Sequence, residues 1–218
     1  GDGVTNSEKS HTYAEHGVYT IKTKSWSNAT PSDDLKNALI EVKQIKLIGH
    51  NGNSKDYKNA FNGCANLRKV TAYNLAPTNC NSMFKDCSSL TELVGLDTWD
   101  MSKCTSINGM FYGTGIIDPT PVYDMLSTFT SSSANSLYQD SKIESIEFGR
   151  FPSSIKDFSY IAYGCTNLKT IDFTNCIQDS TSWASALEKV GTITSMTGLE
   201  TLNASDGVDL SSMFFGTD

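Results

Sequence analysis

The sequence predicts an α/β solenoid, a stack of about seven degenerate repeats of about 25 residues, with a short N-terminal cap of strand and helix. Three observations carry this expectation. The segment Asn59-Ala60-Phe61-Asn62-Gly63-Cys64-Ala65-Asn66-Leu67 aligns position for position with Ser82-Met83-Phe84-Lys85-Asp86-Cys87-Ser88-Ser89-Leu90. The same frame then finds anchors at Phe61, Phe84, Phe111, Tyr138, Ala162, Leu187 and Phe214, separated by 23, 27, 27, 24, 25 and 27 residues. After most anchors comes an apolar set with strand-like spacing.

The sets are Leu67, Val70, Ala72; Leu90, Leu93, Leu96; Ile143, Ile146, Phe148; Leu168, Ile171, Phe173; and Leu199, Leu202, Ala204, all expected to face a shared core. Ahead of two anchors lie further apolar pairs, Cys104 with Ile107 and Ile155 with Phe158. Their three- and four-residue spacing predicts a helical turn packed behind the sheet. Neither a short strand nor one helical turn offsets its own ordering entropy, so the units are expected to stack. A period near 25 lies in the range of leucine-rich repeats.

Two places strain the frame. Residues 188–198 outrun the corresponding stretch of the preceding unit, which predicts an inserted loop. Pro119 and Pro121 oppose both helix and central strand in 115–133.

Two domains are expected, a cap over 1–50 and the repeat domain over 51–218. Within the cap, residues 10–22 read as a turn and an alternating strand, with Tyr19 and Ile21 on one face and Trp26 closing it. Ser32 is placed to cap a short helix whose first turn carries Asp33 and Asp34, with 35–40 as its body. Val42, Ile45, Leu47 and Ile48 then supply a first, covering strand.

Composition narrows the partners. A net charge of -7 and a pI near 4.9 oppose nucleic acid and anionic lipid as main partners. No run approaches the roughly 18 apolar residues of a membrane span. The chain opens at Gly1 without Met, the mark of a processed form or a fragment, and 212–218 begins a unit without finishing it, the mark of a truncated array. The six cysteines, Cys64, Cys80, Cys87, Cys104, Cys165 and Cys176, form no Cys-x-x-Cys pair and lie apart from His11, His16 and His50, which argues against zinc. Cys64, Cys87 and Cys165 share one slot of the repeat, with Thr114 and Ser141 elsewhere; they are expected to be reduced and structural, a Cys64–Cys87 bridge being the alternative.

The segment Trp99-Asp100-Met101-Ser102-Lys103-Cys104-Thr105-Ser106-Ile107-Asn108-Gly109-Met110-Phe111 resembles the W-D-x-S-x-V-T-x-M-x-x-M-F repeat of BspA-like leucine-rich-repeat bacterial surface proteins. Asp86-Cys87-Ser88-Ser89-Leu90 resembles the G-C-x-S-L that completes it. The likeness runs over 55–218, strongest at 59–113 and 160–174; Cys104, Thr114 and Ala162 depart from it. Gly1-Asp2-Gly3 and residues 11–21 resemble the closing strands of a polycystic-kidney-disease-type β-sandwich. These resemblances imply an exported, envelope-attached, monomeric adhesin-like protein at the cell surface with a protein partner, such as host matrix, and imply no cofactor or catalytic residue.

No Gly-x-Ser-x-Gly, phosphate-cradling loop or His-Glu-x-x-His appears, so no enzyme, metal or cofactor is expected. Glu144 and Glu147 read as a solvated face rather than a catalytic pair. The outward strand positions Thr71, Tyr73, Val94, Glu147, Asp172 and Thr174 are the candidate ligand-binding residues. The rival reading is a glycan-binding module of a nutrient-uptake system, which needs aromatics such as Tyr73, Trp99 and Tyr123 to converge. Asn28-Ala29-Thr30 and Asn203-Ala204-Ser205 match the glycosylation acceptor pattern.

Overall fold

In the computed structural model the described residues are 33–42, 55–176, 180–202 and 207–217, with the backbone alone for Asp34 and Leu35. The expected α/β solenoid does not form. Among the described residues there are two α-helices of six residues each, α1 (Asp33–Ala38) and α2 (Thr120–Met125), rather than one helical segment per repeat. The strands form two separate three-stranded parallel sheets, β1 (Glu41–Val42), β2 (Lys69–Thr71) and β3 (Glu92–Val94), then β4 (Ser145–Glu147), β5 (Thr170–Asp172) and β6 (Ser195–Thr197). The remaining backbone is mostly turn and coil.

What recurs at the anchors is a double turn with two left-handed residues. Asn59, Ser82, Gly109, Ser136, Tyr160, Ser185 and Ser212 all have φ between 52° and 60°. Four residues later Gly63, Asp86, Gly113, Asp140, Gly164, Lys189 and Gly216 are left-handed as well. A right-handed helix cannot run through such positions, which corrects the helical turn expected there.

Alternate amides then serve two purposes. Ala60, Asn62 and Cys64 donate within their own turn, to Tyr57, Asn59 and Phe61. Asn59, Phe61 and Gly63 donate instead to Asn81, Met83 and Lys85 of the next rung, at 3.0, 2.8 and 2.7 Å. The exchange repeats upward, with Ser82, Phe84 and Asp86 donating to Asn108, Met110 and Tyr112. Each rung thereby satisfies backbone groups that a lone turn would leave to water.

Three residues before each double turn stands an Asp, Asn or Ser whose side chain accepts the amide two residues on. The bonds are Asp56 from Lys58, Asn79 from Asn81, Ser106 from Asn108, Ser133 from Asn135, Asp157 from Ser159, Ser182 from Ala184 and Asp209 from Ser211. These local turns suit short polar side chains.

The core lies between turns and strands. Leu67, Val70 and Ala72; Leu90 and Leu96; Ile143, Ile146 and Phe148; and Leu168, Ile171 and Phe173 are buried, as the apolar spacing predicts. Leu93 is partly buried against them. The slot after several of the double turns takes a small donor. Cys87 Sγ reaches the Phe61 carbonyl at 3.1 Å, Cys165 Sγ that of Tyr138 at 3.0 Å, and Thr114 Oγ1 that of Phe111 at 2.9 Å. All six cysteines are free and buried, so the Cys64–Cys87 bridge is not made. Burial pushes the Cys64 thiol up to about 11 and the Cys165 thiol up to about 12, which suppresses the reactive thiolate.

Three further expectations are corrected. There is no inserted loop at 188–198: Thr170 pairs with Ser195 and Ile171 with Met196, an offset of 25 that equals the step from Ala162 to Leu187. The last strand is therefore 195–197, and Leu199 falls in the 3₁₀ turn Leu199–Thr201, exposed rather than inward. Leu202 is only partly buried, and Ala204 lies outside the described residues. Pro121 does enter a helix, because within its first turn the missing N–H has no intrahelical partner to lose. In the third rung the register of the flanking strands falls on 118–121, where Pro119 and Pro121 have no N–H for a ladder and α2 begins, and that splits the sheet in two.

The strand β1, expected to belong to the cap, pairs with β2, and Asn66 Nδ2 donates to the Asn37 carbonyl at 2.8 Å, so 33–42 packs on the first rung. The helix starts at Asp33, which takes an ion pair from Lys36 at 3.0 Å, and ends two residues before the expected 40. The expected features of 1–32, the three histidines, Ile45, Leu47, Ile48 and both glycosylation-type triplets lie outside the described residues.

Candidate functional site

The outward strand positions fall into two groups on either side of α2. In the first sheet Thr71 pairs with Val94, both half-buried around the buried Val70. Tyr73 follows, 43% exposed, with its ring across Gly95. A Cβ on Gly95 would come within 2.4 Å of that ring, and its φ of +81° is costly for other residues, so glycine here permits both the turn and the aromatic cover.

Val94 also borders a surface groove of about 310 Å³ between the turn Leu96–Thr98 and α2, where Leu93, Asp97, Thr120, Pro121 and Asp124 contribute. Apart from Val94, the expected outward residues do not line it.

In the second sheet Glu147 pairs with Asp172, and Asp172 with Thr197. The Asp172 carboxylate accepts from the Thr174 amide at 2.7 Å and from Thr197 Oγ1 at 2.8 Å. The hydrogen bonds from Thr174, then that from Thr197, hold this carboxyl below its usual range. The Glu147 amide donates to Tyr123 Oη at 2.9 Å, tying α2 to the second sheet. Arg150 lies over the Tyr123 ring at 4.7 Å and pairs with Asp124 at 3.0 Å. Glu144, half-buried, pairs with Lys169 at 3.3 Å, a partly exposed contact of modest energetic value.

The structure thus gathers Thr71, Tyr73 and Val94 at one place and Glu147, Asp172 and Thr174 at another, and does not merge them. Sequence reasoning passed over Thr197, Asp124 and Arg150. The first is recoverable once the strand is set to 195–197; the other two come from the α2 segment, whose strand-free rung left no periodic signal.

The aromatic set required for glycan binding at the strand face does not converge on the surface. Trp99 is 2% exposed with its indole N–H on the Ala72 carbonyl at 2.9 Å, and Tyr123 is 3% exposed. Both are core groups with a satisfied polar handle.

Among the described residues no group of three or more His, Cys, Asp or Glu is placed to hold a metal ion, and no helix is long and apolar enough to cross a membrane. Compared with family models, curated proteins and solved structures, the chain matches none.

Proposed function

We propose that this chain is a non-enzymatic, cell-surface binding protein that holds a protein ligand, such as host matrix, on the strand side of its rungs. The observation that carries this reading is the register of outward side chains. Thr71 with Val94, and Glu147 with Asp172 and Thr197, sit at matched positions on backbones already fixed by parallel pairing. Side chains held this way lose little further freedom on binding, which favours affinity. Acidic groups in the second sheet and the groove beside Val94 add a charged and an apolar element to one side of the molecule. Export to the cell surface belongs to the same proposal.

Surface plasmon resonance against immobilised matrix proteins tests it. The native chain is expected to bind at least one, and the double charge reversal Glu147→Lys/Asp172→Lys to lower that affinity about tenfold or more while leaving the melting temperature within a few degrees. Binding to none of them, or binding indifferent to strand-side substitutions, sinks the reading.

A further inference from the structure

On the turn side of the rungs, a second groove of about 250 Å³ lies across three successive units. Its lining is a grid of three columns by three rungs. One wall is Asn81, Asn108 and Asn135; the floor is Ser82, Gly109 and Ser136; the other wall is Lys85, Tyr112 and Gln139. Gly109 creates the depression at the middle of the floor. A Cβ there would fill the space beside Ser82 Oγ, 3.5 Å away, and Tyr112 Cβ, 3.9 Å away.

The asparagine wall is oriented by its own hydroxyl neighbours. Ser82 Oγ donates to Asn81 Oδ1 at 3.1 Å and Ser136 Oγ to Asn135 Oδ1 at 2.9 Å, while the Asn108 amide lies 3.1 Å from Ser133 Oγ, whose single proton goes to the Asp157 carboxylate at 2.9 Å. With Oδ1 engaged at Asn81 and Asn135, Nδ2 of each is left as the free donor: among the described residues neither Nδ2 has a hydrogen-bond partner, and all three asparagines are half-buried. Parallel-paired rungs lie about 4.8 Å apart, so the groove carries three side-chain amides at that step.

The opposite wall supplies an aromatic ring. The Lys85 ammonium lies 4.2 Å from the Tyr112 ring centroid, and the Tyr112 phenol is hydrogen-bonded to Asp140, the first cause of a pKa pushed up to about 12, so the phenol stays neutral. Among the described residues Lys85 has no carboxylate partner.

We propose that this groove is a subsite for a neutral oligosaccharide, its oxygens taken by the amide column Asn81, Asn108 and Asn135 and one sugar ring seated against Tyr112. A saccharide chain offers oxygens that both accept and donate, along with apolar C–H faces, which matches a wall of amides opposite an aromatic residue. An extended peptide fits less well, because all nine lining residues are polar or glycine and leave no apolar pocket for its side chains. A phosphorylated or nucleic-acid ligand fits less well too, since one lysine is the only cation in the lining and the Asp140 carboxylate is hydrogen-bonded to Tyr112 of the same wall. The site is separate from the strand-side reading, and separate residues test it.

The full chain is screened on an array of neutral gluco-, xylo-, manno- and N-acetylglucosamine oligosaccharides of one to six units, with isothermal titration of the hits at 50 and 500 mM salt. The expected result is binding by at least one series, with affinity rising to about three or four units and little salt dependence. Tyr112→Ala and Asn81→Asp are each expected to weaken it about tenfold or more. Asn81→Asp keeps the oxygen that accepts from Ser82 and removes only the donor, so an unchanged melting temperature separates loss of binding from loss of fold. Thr71→Ala and Glu147→Ala are expected to leave saccharide binding intact. Absence of any hit at millimolar concentration overturns the proposal. So does binding that survives both groove variants, binding lost in the strand-side variants, or displacement of the sugar by peptides.

Discussion

The first four rungs and the rungs after them fill the same core in opposite ways. From Phe61 to Tyr138 one ring per rung stacks on the next, Phe61 on Phe84 at 5.4 Å and 8°, Phe84 on Phe111 at 5.6 Å and 12°, Phe111 on Tyr138 at 6.2 Å and 18°. Beyond Tyr138 the column ends, because the anchor becomes Ala162 and then Leu187. There the rings come from other positions. Phe148 meets Phe158 edge-on at 86° and Trp183 at 74°, and stacks on Phe173 at 4.9 Å.

The difference shows how volume is conserved across a repeat. Four residues before the first six anchors the chain has Tyr57, Cys80, Ile107, Ala134, Phe158 and Trp183. Where the anchor is an interior ring this position is small or aliphatic; where the anchor shrinks, a large aromatic takes its place. Close packing favours one large group per interior rung; the first rung, where Tyr57 and Phe61 are both buried, is the exception.

Truncating the rings should break this comparison most strongly. Phe148 touches Phe151, Phe158, Phe173 and Trp183, whereas Phe111 touches two stacked neighbours. Phe148→Ala is expected to cost about 4–5 kcal/mol and Phe111→Ala about 3–4, measured by urea unfolding. If Phe111→Ala costs more, the column and not the cluster is the stronger half.

A smaller effect is expected from the polar ladder in the clustered half. Asp157 accepts from the Ser159 amide and from Ser133 Oγ, both at 2.9 Å. Asp157→Ala leaves both donors short of a partner and should cost about 1–2 kcal/mol in the same assay. Loss below a few tenths would mean that water replaces the carboxylate.

The smallest change sits at the seam between the halves. Tyr138 Oη is fully buried and has no hydrogen-bond partner among the described residues, and burial pushes the phenol well above its usual pKa. Tyr138→Phe removes an unpaired polar group while keeping the ring, so it is expected to stabilise by about 1 kcal/mol in thermal or urea unfolding. Destabilisation would show that the hydroxyl has a partner in solution.

Burial was legible in the sequence because apolar spacing reports which side chains face inward. It found six of the seven anchors, Phe214 being exposed, four of the five strand sets apart from the half-turned Leu93, and the slot that Cys64, Cys87, Thr114, Ser141 and Cys165 share. It misplaced the fifth set because Leu199 and Leu202 look apolar in any register, whereas hydrogen bonding to β5 sets the strand at Ser195–Thr197. Among the candidate residues, their outward direction was readable from alternation. Their division into two groups was not, since that depends on α2.

The sequence by itself determined the spacing of the units and which residues they bury, because hydrophobic burial acts residue by residue and leaves its period in the chain. The tertiary structure decided the sign of φ at the anchors. A three-residue spacing serves a helix and a succession of tight turns equally well. Left-handed residues at Ser82 and Asp86 cost the isolated chain energy, offset when the amides of Ser82, Phe84 and Asp86 find carbonyls on the next rung. That partner exists only after the rungs have stacked.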